Sequence, residues 1–338
     1  MKIIVDSVIP FIRGRFPDEV DVDYVKGDEF TYDVVKDADA LIVRTRTRCD
    51  ANLLKDSNVK MVATATIGTD HIDIPWCENH GVDVKSAPGC NAPGVAQYVF
   101  SSIFKVGFDY QNDVLGIIGY GNVGGIVADW ANKMGIKTLI SDDPRKNLGL
   151  NEIEYLPIEE VLKHSDVVTL HVPFTKEGAF PTYKMIGKDE LGLMKQSSII
   201  INSSRGGVVD EGALKDALAD GNLRAIIDVW DNEPDIDREL MEMAEIATPH
   251  IAGYSAEGKM RATRMVLDAV GKKFGIPVDL SGLECEPSGE YEISKKLIED
   301  SYDPLADSEA LKSNPVGFES FRNHYAYRHE PLFNIKMR

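Results

Sequence analysis

The sequence predicts an α/β protein built from two parallel-sheet domains with a cleft between them, followed by a small C-terminal domain. Three observations carry this expectation: two successive series of short apolar runs bounded by turn residues, a glycine-rich turn within the second series, and the loss of strand rhythm after Gly275. With 338 residues, 43% of them hydrophobic, the chain has enough apolar side chains for two or more cores.

The first series comprises Lys2–Val5, Val20–Tyr24, Ala40–Val43, Met61–Ala65 and Val82–Lys85, with helix-like segments between several of them. This alternation predicts a small parallel unit. The second series, Val114–Gly119, Lys137–Ser141, Val167–Leu170, Ser198–Asn202, Ala225–Val229 and Glu245–Ala247, reads as strands buried on both faces of a parallel sheet. Between the two lies Pro88–Tyr98, where prolines and glycines break the pattern before a helix begins, a suitable place for a hinge. The segment after Gly275 is acidic and then aromatic and basic (FESFRNHYAYRHEPLF), the composition of an appendage with a partner surface.

The formal charge of −18, from 37 basic and 55 acidic residues, disfavours nonspecific nucleic-acid binding, so an anionic ligand needs a local basic pocket. No apolar stretch of 18 residues occurs, and the opening MKIIVDSVIP lacks the layout of a signal peptide; neither membrane nor export is expected, and the cytoplasm is the default. Cys49, Cys77, Cys90 and Cys285 fall at no metal-type spacing and read as thiols without chemistry, and no metal site is expected.

The run Val114–Gly119 leads into Gly119-Tyr120-Gly121-Asn122-Val123-Gly124, and helix-like Ile126–Met134 precedes the next strand. In that context G-x-G-x-x-G is the signature of a Rossmann-like dinucleotide site. Gly119 permits the tight turn, Gly121 the approach of a pyrophosphate, Gly124 the packing of helix on strand, and the helix N-terminus offers unpaired N–H groups to the phosphates. Asp142 ends the second strand where a carboxylate accepts from a ribose diol and repels a 2′-phosphate, which favours NAD over NADP. Asp142-Asp143-Pro144 also reads as a turn that starts a helix, and Arg145 is near enough in sequence to take a 2′-phosphate.

Arg205, Glu233 and His250 follow later strands of the second series, where ligands bind in open α/β sheets. Alcohol oxidation requires a base for the hydroxyl proton; His suits it because its pKa lies near neutrality, a Glu would orient the ring, and an Arg would grip a substrate carboxylate. Singly each also has a plain structural reading, His250 as a loop residue, Glu233 before Pro234 as solvated and Arg205 as a helix cap. Beside a dinucleotide site the three read as one oxidoreductase constellation. His171 is read as structural, lining the cofactor cleft at most. Arg44, Arg46 and Arg48 would share a face if they lie on a strand, and a turn there would gather them around a phosphate; the alternative is a solvated basic edge.

Through GYGNVGG, SDVVTLHVPFT, INSSRGGVVDEGAL, DVWDNEP and TPHIAGYS, about the first 275 residues resemble the D-isomer-specific 2-hydroxyacid dehydrogenases. The resemblance implies two Rossmann-like or flavodoxin-like domains, NAD as cofactor, Arg205, Glu233 and His250 as catalytic, and Asp228 under the nicotinamide carboxamide. The blocks ADALIVRTRTR, ATATIGTDHID, APGCNAPGVAQYVFSS and HIAGYSAEGK, with the final YDPLADSEALKSNPVGFESFRNHYAYRHE, resemble a branch of that family that acts on a phosphorylated 2-hydroxy acid in vitamin B6 biosynthesis. That branch implies a homodimer through a C-terminal α+β dimerisation domain. By resemblance Thr45, Thr66 and Tyr254 contact substrate, and Asn122, Val123, Asp142, Ser203, Ser204, Asp228 and Gly253 contact cofactor. The boundaries expected are 1–93 with 256–275 for the substrate-binding domain, 94–255 for the NAD-binding domain and 276–338 for the dimerisation domain. In the tail Phe318, Phe321, Tyr325 and Tyr327 read as interface anchors, and Arg322 and Arg328 as cations able to reach a neighbouring active site. Two competing functions remain open at this level, a dehydrogenase for another 2-hydroxy acid such as phosphoglycerate and an NAD(H)-sensing binding protein of the same fold.

Overall fold

Among the described residues eleven short strands, every one paired in parallel, form two separate sheets. The computed structural model describes residues 1–150, 153–285 and 291–332, and the chain divides into two compact units, Met1–Asn91 with Ser255–Pro287 and Ala92–Tyr254 with Ser288–Arg338.

The first unit runs β1 (Lys2–Asp6), β2 (Asp21–Val25), α1 (Tyr32–Val35), β3 (Ala40–Val43), α2 (Ala51–Leu54), β4 (Met61–Thr64), α3 (Ile74–Asn79) and β5 (Asp83–Lys85). Its sheet has the flavodoxin-like order β2-β1-β3-β4-β5. Successive side chains of the central strands serve opposite layers. Ile3, Val5, Ile42 and Ala63 pack with Val266, Leu267 and Val270 of the long helix Ala256–Phe274, while Ile4, Leu41, Val43 and Val62 pack with Leu53, Leu54 and Cys77. Covered on both sides, these strands have no polar face to alternate, hence their continuous apolar runs. The thiols Cys49 and Cys77 are buried, and burial pushes them up to about 12 and about 11, which keeps them protonated.

The second unit begins with α4 (Ala92–Lys105), buried on nearly all sides, and continues through β6 (Val114–Ile118), α5 (Asn122–Lys133), β7 (Lys137–Ser141), α6 (Asp143–Asn147), α7 (Ile158–His164), β8 (Val167–Leu170), α8 (Lys188–Leu193), β9 (Ser198–Asn202), α9 (Glu211–Ala219), β10 (Leu223–Ile227), α10 (Arg238–Met243) and β11 (Ile246–Ala247). The strand order is β11-β10-β9-β8-β6-β7, so the chain leaves β6 toward β7 and then returns to β8 on the other side. That reversal is the switch point at which open α/β sheets form a ligand crevice. One layer places Phe100 and Ile103 of α4 with Trp130 of α5 against Leu115 and Ile117; the other places Leu162, Leu214 and Leu240 against Val168, Ile200 and Ile227. All eleven expected strands are present, four with the expected bounds. Helix α5 starts at Asn122, four residues before the expected Ile126, because Gly121 caps it and the glycines at 124 and 125 hide its apolar period.

After α11 (Ala256–Phe274) the chain forms α12 (Lys295–Glu299), α13 (Pro304–Ser313) and α14 (Phe318–Asn323). Two sequence expectations are corrected here. Phe318 is 1% exposed and joins the core of the second unit with Leu311, with Phe321 packed against it, so neither is a free interface anchor. Arg328 is buried in its own chain and cannot reach a neighbour: Nε donates to Gln97 Oε1 at 2.9 Å, Nη1 to Ile251 O at 3.0 Å, and Nη2 to Gly94 O at 3.1 Å and to Ala252 O. Tyr325 is half-buried, Tyr327 is exposed, and Phe333 of the same motif lies outside the described residues. The tail also closes an open sheet edge, since Ser308 Oγ of α13 accepts from Ala247 N–H of β11 at 2.9 Å.

Because Arg328 satisfies carbonyls that water cannot reach, Arg328→Met is expected to destabilise the protein by about 3 kcal/mol or more. Urea unfolding followed by tryptophan fluorescence measures this; an unchanged midpoint would show that the tail is energetically separate from the second unit.

Candidate active site

The ladder of the second unit aligns the last paired residues of all six strands. Ser141 pairs with Ile118, Ile118 with Leu170, Leu170 with Asn202, Asn202 with Ile227, and Ile227 with Ala247. The residues that follow, Asp142, Gly119, His171, Ser203, Asp228 and Thr248, therefore stand along one carboxyl edge. Sequence positions far apart become neighbours because the register is shared.

At the switch point Gly119 adopts φ +93, and a Cβ there would lie 2.5 Å from His171 O. A Cβ on Gly124 would sit 1.9 Å from Gly119 O, so the first turn of α5 can lie on the strand end only without a side chain. Nothing lies within 4 Å of a Cβ on Gly121, and Gly121 and Asn122 are exposed, with Val123 half-buried, at the N-terminus of the 12-residue helix α5. Two glycines are thus fixed by packing and one borders open space before a row of helix N–H groups, the cradle a pyrophosphate requires. Asp142 Oδ2 accepts from Tyr120 N–H at 2.7 Å and Oδ1 from Arg145 N–H at 2.9 Å. Of the sequence readings of Asp142 the structure displays the helix start: it caps α6, and in doing so holds the glycine turn, each oxygen keeping a lone pair for a further donor. Ser203 Oγ, on the same edge, is buried without a hydrogen-bond partner, which also fits a ligand group.

His250 and Glu233 come together. His250 Nδ1 lies 2.8 Å from Glu233 Oε2 and 3.0 Å from Oε1, and Trp230 N–H donates to Oε1 at 3.1 Å. Burial alone would raise the Glu233 carboxyl, yet the bond and charge of His250, the Trp230 N–H and the charge of Arg322 together hold it below the ordinary value. His250 is in the left-handed region at φ +57, sparsely populated by residues other than glycine. Its backbone is held there: His250 N–H donates to Asp228 O at 2.8 Å, and Ile251 and Ala252 N–H donate to the Asp228 carboxylate at 2.7 and 3.0 Å. Thr248 Oγ1 donates to Asp228 Oδ1 at 2.7 Å and so accepts from the Tyr98 hydroxyl, also at 2.7 Å. Burial raises the Asp228 carboxyl despite these donors. Asp228, expected at the nicotinamide, in the structure anchors the loop that carries His250. The sequence held no signal for Tyr98 or for the side-chain role of Thr248.

Arg205 follows β9 and donates from Nη1 to Ser204 O at 2.8 Å; Asn202 Oδ1 accepts from Ser204 N–H and Oγ, which fixes this turn. His171 sits beside Gly119 with Nε2 3.1 Å from Thr169 Oγ1, and burial lowers it to about 3, so it stays neutral. Gly253 and Tyr254 continue the His250 loop, where the Tyr254 ring meets Tyr325 edge-on at 6.0 Å.

In the first unit Thr45 is exposed and Thr66 half-buried, its Oγ1 2.7 Å from Thr64 Oγ1. The shared strand face expected of Arg44, Arg46 and Arg48 is corrected. β3 ends at Val43, so strand alternation does not extend to them; Arg44 Nε pairs with buried Asp6 at 3.1 Å and Arg48 Nε with Asp50 at 2.9 Å. Among the described residues no group of three or more His, Cys, Asp and Glu side chains is arranged to hold a metal ion.

Residues 96–252 match the model of the D-isomer specific 2-hydroxyacid dehydrogenase, NAD binding domain. The chain is 46% identical over 342 residues to erythronate-4-phosphate dehydrogenase of Bacteroides fragilis, covering 98% of this chain and 97% of that one, and 39% identical to the enzyme of that name from Proteus mirabilis, covering 98% and 93%. It belongs to the erythronate-4-phosphate dehydrogenases. The fold matches the crystal structure of NAD+-bound 3-phosphoglycerate dehydrogenase from Entamoeba histolytica at a TM-score of 0.67, with 26% identity over 81% of this chain and 95% of that one. D-lactate dehydrogenase of Aquifex aeolicus, complexed with NAD and lactic acid, aligns at 0.64 with 25% identity over 81% and 96%. The chain is thus an NAD-dependent dehydrogenase, and the relatives do not favour the phosphoglycerate or sensor readings.

The two exposed-versus-packed glycines separate binding from folding. Gly121→Ala is expected to leave the melting temperature unchanged while weakening NAD by about tenfold or more in calorimetric titration, whereas Gly124→Ala is expected to destabilise the fold itself. Unaltered NAD affinity in Gly121→Ala would move the pyrophosphate away from this turn.

Proposed function

We propose that this chain oxidises the C2 hydroxyl of 4-phospho-D-erythronate to (R)-3-hydroxy-2-oxo-4-phosphobutanoate with NAD, a step of vitamin B6 biosynthesis. The observation that carries the proposal is the hydrogen bond that Nδ1 of His250 donates to Glu233, in a chain whose relatives bear the name of that enzyme. A carboxylate only accepts, so Nδ1 carries the proton and Nε2 of the neutral ring is bare. Nε2 takes the hydroxyl proton, and Glu233 stabilises the imidazolium as it forms. Arg205, with its planar fork, holds the substrate carboxylate. NAD, when bound, supplies the acceptor for the hydride from C2. The turn Gly119–Gly124 and the α5 N-terminus hold its pyrophosphate, Asp142 its ribose, and Ser203, Ser204, Asp228 and Gly253 the remainder. Thr45, Thr66, Arg44 and Arg46 contact the substrate, so that the first unit, to which these four belong, is the substrate-binding domain; Tyr254, of the second unit, is a further substrate contact.

Cytoplasmic location and a homodimer through the tail belong to the same proposal. The first rests on the biosynthetic role proposed above; among the described residues no helix is long and apolar enough to cross a membrane. The second is supported by apolar side chains that the tail leaves uncovered, Val316 at 77% exposure and Leu305 at 41%.

Absorbance at the NADH band should report turnover with 4-phospho-D-erythronate well above that with 3-phosphoglycerate or D-lactate. His250→Ala is expected to lower kcat at least about a hundredfold with NAD affinity intact, because the base acts on substrate; near-parental turnover would remove His250 from the mechanism. Light scattering should give a dimer for the parent and a monomer for Val316→Glu combined with Leu305→Glu, and a monomeric parent would refute the tail interface.

A further inference from the structure

Helix α14 of the tail brings a cation to the proposed catalytic pair of its own chain. Arg322 Nη1 lies 3.7 Å from Glu233 Oε2 and 3.3 Å from Glu319 Oε1, with the Arg322 side chain only 20% exposed. The guanidinium stands 5.8 Å from the Phe318 ring and hydrogen-bonds the Tyr254 side chain, and its Nε is buried without a partner. The sequence singled out Arg322 as a cation for a neighbouring subunit; the structure turns it inward.

We infer that Arg322 is a positioning residue for proton transfer, holding the Glu233 carboxylate that orients His250 and limiting how strongly that carboxylate favours the imidazolium. The inference rests on His250 being the base. A base must be unprotonated before it can act, yet the groups around the pair are mostly acidic. Asp228 interacts electrostatically with His250, Glu319 of α14 adds a carboxylate beside Arg322, and Glu211 of α9, raised by burial to about 7, adds negative charge as it ionises. Each carboxylate stabilises the protonated ring. Arg322 is the positive charge of this set, and beside Glu233 it offsets part of that field. It stands 3.7 Å from Oε2, the same oxygen that His250 Nδ1 meets at 2.8 Å, while Trp230 N–H holds Oε1, so both oxygens of Glu233 have a cationic or N–H neighbour and its rotation is restricted. The charge of Arg322 is among the influences that keep Glu233 ionised.

The test is a histidine NMR titration of the full-length, NAD-free protein, with the pH profile of kcat/KM beside it. Arg322→Gln is expected to raise the His250 titration midpoint by about 0.5 unit or more and to move the acid limb of kcat/KM upward equally, and Arg322→Lys to return both most of the way. If Arg322→Gln fails to fold, Glu319→Gln serves instead: it frees Arg322 from a shared partner and removes a negative charge, so the midpoint should fall. A midpoint that stays put in these variants, whether or not stability drops, would make Arg322 a packing residue and overturn the inference. The ring titration needs no substrate. A failure of the base assignment would appear separately, as turnover surviving in His250→Ala.

Discussion

The loop that follows β11 depends on opposite charges buried on its two backbone edges. Asp228 takes the N–H groups of Ile251 and Ala252, while Arg328 takes the carbonyls of Ile251 and Ala252, its Nη1 also reaching Tyr254 O at 3.4 Å. A carboxylate and a guanidinium removed from water are each costly alone, and each here is satisfied by peptide groups that would otherwise be orphaned. The loop has little freedom left, and the left-handed conformation of His250 follows from bonds on either side of it. Tyr98 and Thr248 extend the Asp228 anchor into the most buried helix of the unit, so the direction of the imidazole is set by the core.

What was legible in the sequence was whatever depends on pattern along the chain. Strands covered on both faces must be continuously apolar, which is why Ala40–Val43, Lys137–Ser141, Val167–Leu170 and Ser198–Asn202 could be bounded before the fold was known. The glycine turn was readable because close approach leaves no substitute for Gly124, and the pairing of His250 with Glu233 because both follow strands whose ends the parallel register aligns. Double use of one group was not legible. Asp142 was read as a ribose partner or a helix start; its carboxylate also holds Tyr120 N–H, a contact across 22 residues. Asp228 looked like a ligand group, and burial with three donors is a property of the folded loop.

The same limit explains the arginines. Alternation along a strand makes Arg44, Arg46 and Arg48 neighbours, but only while the strand lasts, and β3 ends one residue before Arg44 because Arg44 is drawn to the buried carboxylate of Asp6. The aromatic and basic composition of the tail points to a partner surface and says nothing of which rings fold inward. Phe318 instead completes the layer that Leu311 and Leu240 begin, and α13 caps the edge of β11, so an edge two residues long is not left open.

A chain of formal charge −18 that handles anions needs its cations where they act. The second unit meets this with arginine chemistry. The planar guanidinium of Arg328 distributes five N–H donors among Gln97, Gly94, Ile251, Ala252, Tyr254 and the Tyr325 hydroxyl, and lies 4.3 Å from the Tyr302 ring. A lysine, with three donors on a point charge, could not match that set. Since Tyr302 and Tyr325 both donate to Asp307, the acidic partner is kept one hydroxyl away, and the guanidinium remains free to hold carbonyls. The tail therefore completes the His250 loop chemically as well as covering it, and a chain lacking this tail would have to satisfy those carbonyls by other means.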